Sequence, residues 1–178
     1  MKTNIIITLL LIVFAGNAAF SQRHIKGLTG IEAGGGLTGK GNYFTLGYSK
    51  YLSGRLYLKV NGNYEFGKIT STQFKSYYID IAPAFTLFNI KEVVFFNAVG
   101  GIAGAYDKPQ TTEGAPNQSG LTYGGLIGCE AEIFLGGDNV ALVIDANQRY
   151  YFNSKMNSQA TNSGSTRYFI GAGLKIMF

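Results

Sequence analysis

Residues Arg167 to Phe178 read R-Y-F-I-G-A-G-L-K-I-M-F. Successive side chains of a strand point to opposite sides. Tyr168, Ile170, Ala172, Leu174, Ile176 and Phe178 therefore share one unbroken apolar face. Arg167, Phe169, Gly171, Gly173, Lys175 and Met177 share the other, which carries two cations and two glycines. An ordinary core strand has this alternation too, so its meaning depends on what the rest of the chain does.

Working backwards, the same period-two pattern recurs. Candidate strands run over residues 27–37, 42–51, 56–66, 77–88, 93–106, 121–135 and 140–152, and 167–178 makes the eighth. The third is the clearest: Leu56, Leu58, Val60, Tyr64 and Phe66 lie opposite Tyr57, Lys59, Asn61, Asn63 and Glu65. The fifth is the least clean, since both faces are apolar apart from Asn97. Pro83 falls inside the fourth, and a proline cannot donate to the ladder, so a bulge or a shorter strand is expected there. Gly34-Gly35-Gly36 resembles a phosphate loop, but no helix follows it, and close strand packing or a kink is the better account.

Composition agrees with many strands. Gly is 25 of 178 residues, about twice the usual share, and charged residues are 14%, well under the usual quarter. Tyr and Phe total 12 and 13, and Trp is absent. The net charge of +5 is scattered without a basic run, so direct nucleic-acid binding is not expected. The one cysteine, Cys129, excludes an intrachain disulfide and reads as a small apolar strand residue.

Residues 1–21 read as a secretory signal peptide. Lys2 supplies the charged start, Ile5 to Phe14 the apolar stretch, and Ala19-Phe20-Ser21 the small residues before cleavage at Gln22. That apolar stretch is too short for a membrane helix, and no later segment is long enough to be one. Residues 22–178 are then a single domain, with about twenty residues for each strand and its connection.

The strand charges select between barrels. Glu32, Lys59, Glu65, Asp80, Glu130, Glu132, Asp145, Arg149, Arg167 and Lys175 all lie opposite the apolar stripe. A lipid-facing charge at the bilayer midplane costs about 2–4 kcal/mol, so a membrane barrel needs this sorting. A soluble barrel shows the same alternation turned inside out. Three features favour the membrane. Aromatic residues sit near strand ends on the apolar face (Tyr64, Phe66, Tyr77, Tyr150, Phe152, Tyr168, Phe178). The connections at one end are tight, while 67–75, 107–120 and 153–166 are longer and polar. The charged face mixes both signs and can pair within itself as a plug, since eight strands leave room only for side chains.

The expected fold is thus an all-β, eight-stranded antiparallel up-and-down transmembrane barrel of the outer-membrane type. Outer-membrane lipid and the barrel-assembly machinery are its expected partners, and Phe178 its carboxy-terminal insertion signal. No Cys/His cluster has metal-ligand spacing, and no cofactor site is read. His24, the only histidine, reads as an exposed residue ahead of the first strand with no acid beside it. Glu130 and Glu132 suggest a carboxylate dyad, but ion pairing explains them better. A non-enzymatic barrel is expected. The alternatives are a general small barrel for envelope stability or adhesion, and a lipid-modifying enzyme.

Three stretches carry a resemblance: Q-R-H-I-K-G-L-T-G-I-E over 22–32, A-L-V-I-D-A-N-Q-R over 141–149, and Y-F-I-G-A-G-L-K-I-M-F over 168–178. With the chain's length and its glycine-rich first strand, these resemble the TraO family of conjugative transposon transfer proteins of Bacteroidetes. The resemblance implies an envelope component of a mating apparatus, with other transfer proteins as partners. It implies no catalytic residues.

Overall fold

A computed structural model describes residues 24–69, 72–110, 120–136, 139–152 and 165–178. The expected signal peptide, residues 1–21, lies outside them. Eight strands form: β1 Thr29–Thr38, β2 Gly41–Tyr51, β3 Leu56–Ile69, β4 Thr72–Ile90, β5 Val94–Gln110, β6 Gly120–Phe134, β7 Val140–Phe152 and β8 Ser165–Met177. Each pairs antiparallel with its neighbours in sequence, and β1 pairs with β8 to close the barrel. The ladder is extended where Thr29 N donates to Phe178 O at 3.1 Å and Phe178 N donates to Thr29 O at 3.0 Å.

The alternation resolves into inside and outside. Ile31, Leu46, Ile79, Ile102, Ile127, Ile170 and Leu174 are exposed on the outer wall. Glu32, Lys59, Glu65, Asp80, Glu130, Glu132, Arg149, Arg167 and Lys175 are buried within. The ambiguous fifth strand is settled by size as well as polarity. Phe95, Asn97, Val99, Ala103 and Ala105 turn inward, and their small members leave room for bulky side chains from other strands.

Strands β3, β4 and β5 are longer than their periodicity predicts. The polar stretch 67–75 is mostly strand, because β3 runs to Ile69 and β4 starts at Thr72. Past the apolar band the outward residues Lys68, Gln73 and Lys75 are polar, so alternation fades although the ladder continues; Phe74 turns inward there, 3% exposed. Residues 107–110, 120 and 165–166 likewise belong to strands. The remainder of the two long loops, 111–119 and 153–164, lies outside the described residues.

Pro83 is accommodated without a bulge of its own. It pairs with Leu58 of β3, and the β5 register is the same on either side of it, Ile81 opposite Ile102 and Ala84 opposite Val99. The one-residue shift comes further on, between Thr86 and Phe88. The glycines of β1 and β8 do mark close packing. A Cβ on Gly36 would lie 2.1 Å from Ile170 O, and one on Gly171 would lie 2.1 Å from the Tyr43 hydroxyl. Between Glu32 and Phe169 the closing seam is bare on its inner side, where Gly34 faces Gly173 and Gly36 faces Gly171, and Tyr43 lies over it.

Candidate functional site

The barrel interior holds the concentration of chemistry. Among the described residues, seven carboxylates line it (Glu32, Glu65, Asp80, Asp107, Glu130, Glu132, Asp145), with four cations (Lys59, Arg149, Arg167, Lys175) and His24. They gather in two layers.

The layer nearer the chain termini centres on Glu130 and Glu132 of β6. Lys175 pairs with Glu132, and lies 3.4 Å from Glu130 and 3.7 Å from Glu32. Lys59 pairs with Glu130 and lies 3.1 Å from Glu32. Tyr51 donates to Glu132 at 3.0 Å, and Tyr57 donates to Glu130 at 2.5 Å. Asn97 donates to the Tyr57 hydroxyl at 3.0 Å, and Thr86 donates to the Asn97 carbonyl at 2.8 Å. Glu130 and Glu132 thus each meet a cation and a tyrosine hydroxyl, as buried charges require, while Glu32 has the two lysines.

His24 corrects the expectation of an exposed residue. It is 7% exposed, with Nε2 2.7 Å from Glu132 and Nδ1 3.2 Å from the Thr86 hydroxyl. Its ring stacks on Phe95 at 3.8 Å between centroids and also meets Tyr51 at 4.7 Å. The lead-in folds back into the barrel mouth, with Gly27 N donating to Tyr51 O at 2.8 Å. The sequence signal is arithmetical: the inner face carries more acids than bases, and a nearby imidazole can serve the excess.

The layer near the opposite rim is built on the two arginines. Arg167 contacts Glu65 at 3.0 Å and Asp107 at 2.9 Å. Arg149 contacts Asp80 at 2.5 Å and lies 3.6 Å above the Phe169 ring, a stacking that suits guanidinium. Asn63 donates to Asp80 at 2.7 Å, Ser76 to Asp107 at 2.6 Å and Tyr78 to Glu65. Asp145 is half-buried, 3.5 Å from the Tyr43 hydroxyl. Asp107 escaped the sequence reading because it falls where a loop was expected. In the β1–β2 turn, burial and then Arg167 lower the pKa of the Lys40 ammonium.

Between the layers is a cavity of about 10 Å³ bordered by Asn61, Asp80, Glu130, Lys59 and Arg149. Asn61 Oδ1, Asp80 Oδ1 and Arg149 Nη1 have no protein partner. The space suits about one water molecule, which could serve acceptors and donor together.

Glu132, His24 and Thr86 stand in the acid–imidazole–hydroxyl order of a nucleophile triad. The Thr86 hydroxyl is turned to Asn97 in the core, and the residue is 3% exposed, so a substrate has no approach to it. No group of three His, Cys, Asp or Glu residues could hold a metal ion among the described residues.

The outer wall carries aromatic residues at the rim away from the termini. Tyr64, Tyr77 and Tyr106 are register neighbours on β3, β4 and β5, and Phe44 pairs with Tyr64 from β2. Tyr123, Tyr150, Phe152 and Tyr168 continue the row. Phe85, Phe88 and Phe178 are exposed towards the opposite end. Cys129 is exposed on the outer wall. Among the strand cations whose side chains are described, Lys50, Lys68 and Lys75 depart from the expected sorting and share the outward parity. All three lie near strand ends, where a long side chain can extend beyond an apolar band.

The sequence matches no family model and no curated protein. Solved structures with the same fold are numerous. The N-terminal β-barrel domain of Pseudomonas aeruginosa OprF is 10% identical, with 86% of this chain and 98% of that one covered at a TM-score of 0.68. Neisserial surface protein A is 15% identical, with 85% and 96% covered at 0.58. The outer membrane enzyme PagL is 18% identical, with 83% and 98% covered at 0.50. At such identities these likenesses establish the fold, an eight-stranded barrel shared with outer-membrane proteins.

Proposed function

We propose that this chain is a non-enzymatic outer-membrane barrel with a sealed, ion-paired interior, serving as a structural envelope component. The observation that carries the reading is the polarity: apolar residues cover the wall, and the strand acids with described side chains all face inward with Lys59, Arg149, Arg167 and Lys175. In water that arrangement would expose the apolar band and bury charge; in a bilayer it satisfies both sides. Burial of the His24–Glu132–Thr86 group favours a structural role for it over catalysis. The end with tight turns, which holds His24 and Phe178, would face the periplasm, and the rim where β5 ends and β6 begins the exterior. Phe178 is exposed beside the closing ladder, which supports reading it as the insertion signal.

The finer role rests on the TraO-like stretches around 22–32, 141–149 and 168–178. It is that of an envelope part of a conjugative DNA-transfer apparatus, contacting other transfer proteins through the outer loops. Two measurements test these levels separately. The protein should fractionate with outer membrane and migrate faster on gels when unheated; recovery as soluble periplasmic protein overturns the barrel reading. Deleting the gene from a donor should lower mating frequency and supplying it in trans should restore it; unchanged mating leaves the general envelope role.

A further inference from the structure

The described charges away from the interior are mostly cationic. Lys26, Lys50, Arg55, Lys68, Lys75 and Lys91 are exposed or half-buried there, and Glu92 is the one acid among the described residues. Two of these cations flank a groove of about 370 Å³ at the rim away from the termini. Phe44, Tyr64, Phe66, Phe74, Gln73, Lys68 and Lys75 line it. Lys68 pairs with Gln73 and Lys75 with Phe66, so the lysines are diagonal neighbours on one face of the β3–β4 hairpin. Diagonal cross-strand side chains are within reach of a single small group. Below them, Phe66 stacks with Phe44 at 5.7 Å and with Tyr64 at 5.7 Å.

We infer that this groove holds a phosphate-bearing membrane lipid, with the phosphate between Lys68 and Lys75 and an acyl chain along Phe44, Tyr64 and Phe66. The inference rests on the membrane-barrel reading. Charge complementarity selects the lipid. Two ammonium groups with no described acid beside them attract an anionic head group, and the aromatic rings directly beneath give its hydrocarbon an apolar bed. The depth agrees, because Lys68 and Lys75 lie just past Tyr64 and Tyr77, at the level where head groups replace hydrocarbon. A zwitterionic lipid would bring its own cation to the same place and lose the advantage.

The full chain, folded into phosphatidylcholine vesicles, carries trace spin-labelled phosphatidic acid in one sample and spin-labelled phosphatidylcholine in another. Electron paramagnetic resonance reads the motionally restricted fraction of each. Phosphatidic acid should be retained preferentially, and K68Q/K75Q should reduce that preference by about fivefold per lysine. The K50Q/K91Q variant, altered at the opposite rim, should keep it. Equal retention of the two lipids by the unaltered protein overturns the inference. So does a preference that survives K68Q/K75Q, or one that falls equally in K50Q/K91Q, which would assign it to net charge. Failure to insert into these vesicles overturns instead the membrane reading on which the inference stands.

Discussion

Lys175, on the strand that closes the barrel, is ion-paired with Glu132 on β6, and both side chains are 0% exposed. Neither has water to fall back on. Replacing Lys175 with Met leaves Glu132 short of its cation and Glu130 and Glu32 with Lys59 alone. Loss of one member of a buried pair costs about 3–5 kcal/mol. Urea unfolding in lipid vesicles should show a loss of that size for K175M. Adding Glu132→Gln should recover part of it; additive losses would show that the two residues are not coupled.

Truncating His24 to Ala takes the imidazole from Glu132, which keeps Lys175 and Tyr51, and from Thr86, which keeps Asn97, and it uncovers the Phe95 ring face. Loss of a hydrogen bond to a charged group costs about 1.5–3 kcal/mol. The expected phenotype is lower stability with unchanged lipid composition of the envelope. A changed acylation pattern in H24A or Thr86→Val would restore the enzyme alternative.

The β4–β5 turn places both Lys91 and Glu92 at positive φ, 51° and 54°, with Val93 N donating to Ile90 O at 3.0 Å. Both central residues of a type I′ turn need that conformation, and Asn-Gly adopts it most readily. K91N/E92G should raise stability by about 1 kcal/mol without altering the fold. A lower unfolding midpoint would contradict this account of the turn.

Gly171 lies under the Tyr43 hydroxyl with no room for a Cβ. Gly171→Val must displace Tyr43 or part β8 from β1. Heat-modifiable gel mobility should report less folded barrel for G171V. For Gly39, where an added Cβ would meet nothing within 4 Å, substitution by Ala should leave the folded fraction unchanged.

Most of the fold was legible because a lipid-facing wall and a charged lumen force alternation on every strand. The inward set from Glu32 to Lys175 followed from that rule alone. Two kinds of residue were not legible. Asp107, Lys68 and Lys75 lie on strand extensions past the apolar band, where periodicity carries little signal. His24 lies ahead of β1, and its position depends on Glu132, Thr86 and Phe95, all far away in sequence. Local pattern reports which face a residue occupies, and distant partners decide what a lead-in segment packs against.

The placement of the interior cations has a kinetic consequence. Arg167 and Lys175 both belong to β8, and their acids lie on β1, β3, β5 and β6. A chain assembled through β7 would carry the seven described inner carboxylates against Lys59, Arg149 and the His24 imidazole. Such an intermediate cannot dehydrate its lumen, since the uncompensated carboxylates would keep water with them. Docking of the last strand therefore does more than zip an edge. It brings the missing counter-charge, expels solvent and makes ring closure a single cooperative event, so that partly closed barrels stay open, wet and easily reversed.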